Sequence, residues 1–119
     1  MLTKTEMDRY NRQMLISGWG KKGQIKLKKA KVTIAGVGGL GCPVSLYLSA
    51  TGVGNILLID NEKFELSNLN RQILAFHNDV GRLKTETARE KLIALNPEIN
   101  ISTKTVEITQ DNIRELIKG

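Results

Sequence analysis

Short apolar runs alternate with amphipathic stretches along the chain, and their spacing predicts the order of the elements. From Glu6 to Ile16 the residues Met7, Tyr10, Met14 and Leu15 recur at helical spacing, with Thr5 available as a cap and Gly18 beyond the end. This predicts a short amphipathic helix. Gly18, Gly20 and Gly23 loosen the chain before Gln24 to Lys29, where Ile25 and Leu27 stand among lysines and a second short helix is expected. At Lys31 the pattern changes. Val32, Thr33, Ile34 and Ala35 form a β-prone run that breaks into Gly36-Val37-Gly38-Gly39-Leu40-Gly41, as a buried strand entering a glycine turn does. Pro43 suits the first turn of a helix, where its missing N–H is not needed, and Val44, Leu46, Tyr47, Leu48 and Ala50 continue an apolar helix to Gly52. Asn55 to Asp60 supplies a second buried strand through Ile56, Leu57, Leu58 and Ile59, and it ends on a carboxylate. Two strands joined by a crossover helix run parallel.

Asn61 to Gly81 is polar and without sustained period, and a connection of that length in a compact domain is functional or holds short helical turns of its own. Arg82 to Leu95 reads as a helix that Asn96-Pro97 ends. Ile99, Ile101, Thr103, Thr105 and Glu107 then share one face of an alternating segment, a third strand near an edge, and Asp111 can cap a final short helix bearing Ile113, Leu116 and Ile117. The sum is an α/β fold: a Rossmann-like parallel sheet with helices on both faces, about three strands of it, preceded by two short helices. Residues 1–30 form the helical lead-in and 31–119 the N-terminal half of a nucleotide-binding domain. A doubly wound dinucleotide fold has about six strands, with the first paired on both sides. Only three are expected here, so either the chain is a fragment or another chain covers the edge of the first strand.

Composition narrows the function. The 119 residues carry 18 Lys and Arg against 12 Asp and Glu, a formal charge of +6 that points to anionic partners such as nucleotides. Only 4% are aromatic, which provides poorly for base stacking, and the lysines from Lys21 to Lys31 lack interleaved aromatics, so nucleic acid is not expected. No apolar run is long enough for a membrane span or a secretory signal, and the expectation is a cytoplasmic chain. The single cysteine, Cys42, reads as a small packing residue, His77 as a loop residue and Asp111 as a helix cap, leaving no metal site.

The glycine sequence has a mechanical explanation. Gly36 permits the tight turn, Gly38 lets backbone N–H groups approach phosphate, and Gly41 permits close packing of the following helix, whose N-terminus attracts anions. Asp60 stands where a carboxylate can accept hydrogen bonds from ribose. In the long loop Asn68, Asn70, Arg71 and Gln72 cluster, and Lys84 opens the next helix. Composition alone would make Arg71 and Lys84 solvated surface charges; a triphosphate would employ both, since its extra negative charge calls for cationic side chains.

Taken together, Arg9-Tyr10-Asn11-Arg12-Gln13, the Gly36 to Gly41 loop, Asp60, Ser67-Asn68-Leu69-Asn70-Arg71-Gln72 and Val80-Gly81-x-x-Lys84 resemble the N-terminal half of the E1-like activating enzymes, the group of ThiF, MoeB and HesA proteins and the adenylation domain of ubiquitin-activating enzymes. The resemblance implies ATP-dependent adenylation of the C-terminal glycine of a ubiquitin-like modifier or sulfur-carrier protein ending in Gly-Gly. It implies that Gly36, Gly38, Gly39 and Gly41 hold the nucleotide, that Asp60 binds ribose, and that Asn68, Arg71 and Lys84 hold the phosphates with Gln72 positioning the loop. Arg12 matches the arginine that the family's homodimers reach across to the neighbouring subunit's ATP. The family's Mg²⁺-holding aspartate, its zinc-binding cysteines and its acceptor cysteine find no match in these residues, so the Mg²⁺ ligand is expected outside this chain. Two alternatives stand beside this reading. One is a non-catalytic ATP-binding module that depends on other chains, and the other is a fragment of an NAD-dependent oxidoreductase, which would leave Arg71 and Lys84 idle.

Overall fold

Strands β1 (Lys31–Ala35), β2 (Asn55–Ile59) and β3 (Asn100–Lys104) form one parallel sheet in the order β1-β2-β3 in the computed structural model, which describes residues 1–119. Its register aligns Val32, Ile56 and Ile101, and two residues on Ile34, Leu58 and Thr103. Side chains alternate across a strand, so these six share one face. That face carries the core: Ile34, Ile56, Leu58 and Ile101 pack with Val37, Val53, Phe64 and Leu74. Cys42 from α4 (Gly41–Thr51) and Ala88 and Leu92 from α5 (Lys84–Leu95) join the same cluster, which places both crossover helices on this side. The opposite face is covered more thinly. Ile117 to Gly119, just beyond α6 (Ile113–Leu116), share a cleft of about 270 Å³ with Thr33, Leu57 and Ser102. The parallel α/β architecture read from the sequence is therefore observed, with β2 central and β1 paired on one side.

The strand ends show why the site forms where it does. Each of the three strands is five residues long, and β1 and β2 end level, Ala35 opposite Ile59. Gly36 and Asp60 thus emerge side by side at the C-terminal edge of the sheet. The loop from Asn61 to Leu83 contains two short 3-10 turns, Leu66–Asn68 and His77–Asp79, as its length required.

Several boundaries differ from the sequence reading. The first helix is two, α1 (Lys4–Arg9) and α2 (Asn11–Met14), broken at Tyr10, whose side chain turns into the core with 2% of its surface exposed. Thr3, not Thr5, is the cap: its hydroxyl accepts from the Glu6 N–H at 3.1 Å while the Glu6 carboxylate accepts from the Thr3 N–H at 3.0 Å. Helix α3 (Gly20–Lys29) starts earlier than expected, with Gly20 and Gly23 inside it; the Trp19 ring lies over Gly23, 3.2 Å from where a Cβ would stand. Strand β3 stops at Lys104, because Thr105 and Glu107, though in alternation, are exposed. Ahead of α6, Thr109 and Asn112 bond reciprocally, side chain to N–H, at 2.7 and 3.3 Å; Asn112 holds the cap position without a side-chain bond to the helix, and Asp111 stays exposed.

Buried polar side chains fasten the N-terminal segment to the sheet layer. Asn96, fully buried, donates to the Tyr10 hydroxyl and to the Ser49 carbonyl, both at 2.8 Å. Gln24, also fully buried, accepts from Gln13 and Trp19 and donates to the Thr51 carbonyl. No helix is long and apolar enough to cross a membrane.

Candidate nucleotide site

Gly36 follows β1 with φ +93°, a left-handed conformation that side-chain-bearing residues rarely adopt, and its N–H donates to the Ile59 carbonyl at 2.8 Å. The chain then folds back so tightly that a Cβ on Gly41 would overlap the Gly36 carbonyl oxygen. The close approach attributed to Gly41 is thus to the loop's own backbone. This turn leaves the N–H groups of Gly38, Gly39, Leu40 and Gly41 without partners in the chain, at the mouth of an 11-residue helix. Four free donors and a helix N-terminus make an anion cradle.

Asp60 braces the loop from the neighbouring strand. One carboxylate oxygen accepts from the Val37 N–H and the other from the Glu62 N–H, each at 2.8 Å. Each oxygen has a second lone pair, so the carboxylate can also accept from a ligand hydroxyl. Asp60 lines a cleft of about 290 Å³ with Gly36, Asn61, Glu62, Val106 and Ile108.

The long loop brings its side chains over the glycines. The aliphatic and Nε part of Arg71 lies 3.6 Å from the position of a Gly39 Cβ, and the Gln72 amide nitrogen 3.8 Å from that of Gly38. Arg71 is exposed, with one guanidinium nitrogen held by the Ser67 carbonyl and the Asn70 side chain. Gln72 is 4% exposed, and its amide makes no hydrogen bond within the chain; its buried oxygen is an orphan. Lys84 is 5% exposed, lies with its ammonium 5.6 Å from the Phe64 ring centre, and has no ion-pair or hydrogen-bond partner for that ammonium. A lysine covered to this degree without a carboxylate partner is uncommon, and its ammonium is free to meet an anion.

Cys42 connects these groups. Burial pushes its thiol above the ordinary range, the Leu74 backbone and the nearby Lys84 charge pull it back in part, and Asp60 adds to the rise. The thiol is protonated and fully buried, a packing group rather than a nucleophile. Lys84 and Asp60 both lie within electrostatic reach of this thiol at the start of α4.

The structure therefore gathers Gly36, Gly38, Gly39, Gly41, Asp60, Arg71, Gln72 and Lys84 around one loop. Asn68 adjoins this group, its carbonyl accepting from the Gln72 N–H at 2.8 Å, while its side-chain oxygen fastens a turn by accepting from the Glu65 N–H at 2.8 Å and its NH₂ is unspent. One expected residue falls outside the group. Arg12 is exposed on α2, its one polar contact being Asn11 at 3.5 Å, and it makes no bond to the loop, to Arg71 or to Lys84. His77 is exposed and unbonded. The sequence reading did not anticipate Asp79. It is 4% exposed, and its carboxyl is held below the usual carboxylate range first by the Phe76 N–H, against a smaller push from burial, and then by Arg82 and Lys91. It ties the end of the loop to α5 just ahead of Lys84. No group of three or more His, Cys, Asp or Glu side chains is arranged to hold a metal.

A parallel sheet whose first strand opens into a glycine turn with free N–H donors, with a carboxylate at the end of the second and cations beyond, has the layout of the nucleotide-binding α/β folds. Residues 10–119 match the ThiF family, and the chain belongs to it. It is 44% identical over 117 residues to the adenylyltransferase and sulfurtransferase MOCS3 of Culex quinquefasciatus, covering 98% of this chain and 27% of that one. Over 116 residues it is 43% identical to the sulfur carrier protein adenylyltransferase of Thermus thermophilus, with 98% of this chain and 43% of the relative covered. Among solved structures, E. coli MccB with ATP superposes with a TM-score of 0.84 at 40% identity, over 90% of this chain and 33% of MccB. The chain thus spans between about a quarter and less than half the length of the proteins it matches.

Proposed function

We propose that this chain is the nucleotide-binding portion of an adenylyltransferase that uses ATP to activate the C-terminal carboxylate of a small sulfur-carrier or ubiquitin-like protein. The observation that carries the reading is Lys84: a lysine with only 5% of its surface exposed and no carboxylate for its ammonium, near an N–H cradle over which Arg71 lies. Two cations and four donors suit three phosphates better than two. Support also comes from the relatives, named as adenylyltransferases, and from MccB, solved with ATP.

In this reading Asp60 accepts from the ribose hydroxyls while its other lone pairs keep the loop closed. The N–H groups of Gly38 to Gly41 take phosphate oxygens. Lys84 and Arg71 hold the terminal phosphates and stabilise the negative charge that grows on pyrophosphate as the carrier's carboxylate attacks the α-phosphate. Gln72, whose amide is unspent, bonds to whatever lies against Gly38. A Mg²⁺ accompanying ATP would need carboxylate ligands from outside these 119 residues, which hold no such cluster, and would share in neutralising the phosphates. Arg12 acts in a homodimer, from the surface of one copy toward the nucleotide of the other. The oxidoreductase alternative gives Lys84 and Arg71 no task.

Isothermal calorimetry with ATP, AMP and NAD tests the proposal. ATP should bind most tightly, and Lys84→Met should weaken it by roughly 10- to 100-fold while leaving AMP within about twofold, since a hydrogen bond to a charged group is worth roughly 1.5 to 3 kcal/mol. NAD binding as tight as ATP, or equal losses for ATP and AMP, would reject it.

A further inference from the structure

Asp60 and Lys84 are built onto one short ribbon. Residues 62–64 and 81–84 run antiparallel about the bridge between Lys63 and Leu83. The Phe64 N–H donates to the Arg82 carbonyl at 2.9 Å, the Gly81 N–H to the Phe64 carbonyl at 2.8 Å and the Lys84 N–H to the Glu62 carbonyl at 3.0 Å. The Glu62 N–H in turn donates to Asp60. The two charges are therefore joined through the backbone of a single residue, and the stretch that carries Arg71 and Gln72 is an excursion from the ribbon.

Lys84 also opens α5, so the direction of its side chain depends on how that helix is turned about its axis. One bond at the first residue leaves that angle free to drift; a second hold further along fixes it. Lys91 follows Lys84 by about two turns and lies on the same face of the helix. Its ammonium is 3.2 Å from one Asp79 oxygen and 4.6 Å from the centre of the Phe76 ring, much as the ammonium of Lys84 stands 5.6 Å from that of Phe64. The same Asp79 oxygen accepts from the Phe76 N–H at 2.8 Å. The other accepts from Arg82 at 2.8 Å, and Arg82 also reaches Glu90 of α5 at 2.7 Å. Asp79 thus grips the ribbon through Arg82 and the helix through Lys91. It neutralises one lysine of this face and leaves the other, Lys84, without a carboxylate.

We propose that Asp79 is a positioning residue for the nucleotide: by clamping Lys91 and Arg82 it sets the face of α5 that aims Lys84 at the terminal phosphates. The inference rests on the role proposed for Lys84. Asp79 itself does not meet the ligand, since both of its oxygens are bonded and it is 4% exposed. Nor does the clamp work through Arg71, which is held separately by Ser67 and Asn70. A residue that merely stabilised the fold would affect every ligand alike, whereas a clamp acting through Lys84 affects only what Lys84 touches.

Asp79→Asn keeps an acceptor for the Phe76 N–H and removes the charge. ATP and AMP affinities of the full chain are measured by calorimetry, at a temperature where circular dichroism shows every variant folded. ATP should weaken by about fivefold or more with AMP within about twofold. Lys91→Met, at a partly exposed position, should give a smaller loss of the same kind. Asp79→Asn/Lys84→Met should bind ATP no more weakly than Lys84→Met alone, because a clamp with nothing to aim has no effect, while the losses from Asp79→Asn and Arg71→Ala should add. A readout without nucleotide is the NMR contact between the Lys84 side chain and the Phe64 ring, which should weaken in Asp79→Asn and persist in Arg71→Ala. Equal losses for ATP and AMP, a loss that adds in full to that of Lys84→Met, or an unchanged Lys84 to Phe64 contact would overturn the proposal. If Lys84→Met weakens ATP and Asp79→Asn does not, only the clamp fails; if Lys84→Met leaves ATP binding unchanged, the role of Lys84 fails and the clamp with it.

Discussion

The tripeptide Asn-Arg-Gln occurs twice, at 11–13 and at 70–72, and the fold uses the two copies in opposite ways. In both, the arginine is exposed and bonded to the preceding asparagine, at 3.5 Å for Arg12 and 2.9 Å for Arg71. The glutamines differ. Gln13 donates both of its protons, to Gln24 and to the Thr51 carbonyl, and with them closes the N-terminal segment onto the end of α4. Gln72 is more deeply buried and bonds to nothing. A polar group buried without a partner costs free energy. At one end of α4 the tripeptide contributes a fastener, and at the other an unspent donor and acceptor facing the glycine loop. A motif therefore gains its meaning from where the chain carries it.

The largest effect should come from breaking the fastener at its hub. Gln24→Leu keeps the volume but strands Gln13 and Trp19 without their acceptor, and should cost about 3 kcal/mol, a fall in Tm on the order of 10 °C. Gln72→Leu removes a group that has no partner to strand, so stability should change by about 0.5 kcal/mol or less in either direction. Thermal melts of the two variants side by side decide this; equal losses would mean that Gln72 is bonded in the folded chain. Nucleotide affinity should show the reverse order, with Gln72→Leu the more harmful.

Asp79 gives the next effect and has a pH signature. Its folded-state carboxyl is depressed, so its contribution is present above the unfolded value near 3.9 and is lost as pH falls through the lower folded value. Asp79→Asn should therefore cost about 2 kcal/mol at pH 7, and the gap from the parent should close only below about pH 4. Urea unfolding at pH 7, 5 and 3 measures it. A gap that is the same at pH 3 would show that packing, rather than charge, is what the carboxylate supplies.

These two sites also mark what the sequence could and could not reveal. The strands β1 and β2, helix α4 and the glycine loop were readable because buried parallel strands are continuous apolar runs and a glycine turn has few alternatives. Asp60, Arg71 and Lys84 were readable as candidates by position and by resemblance. Gln24, Asn96 and Asp79 were not, since a polar residue on a helix or in a loop carries no mark of the distant carbonyl or cation it will meet. The helix break at Tyr10 was missed for the same reason: helical spacing continues through it, and only the bond from Asn96, 86 residues away, shows why the ring turns inward. Thr3 was overlooked as the cap although Glu6 stands three residues on, the spacing of a capping box.

The smallest effect is expected from Arg12, and it separates the two arginines. Arg71 lies against Gly39, so Arg71→Ala should weaken ATP by roughly tenfold or more at any protein concentration. Arg12 has no contact with the loop of its own chain, so Arg12→Ala in dilute protein should leave ATP affinity within about twofold and Tm within about 1 °C. If Arg12 serves the neighbouring copy, its effect must grow with protein concentration, because a cation supplied from outside the chain follows mass action and one supplied from within does not. ATP titrations of both variants at low and high protein concentration, with sedimentation run in parallel, read this difference. A loss for Arg12→Ala that is as large at the lowest concentration as at the highest would place Arg12 in its own chain's site and end the comparison.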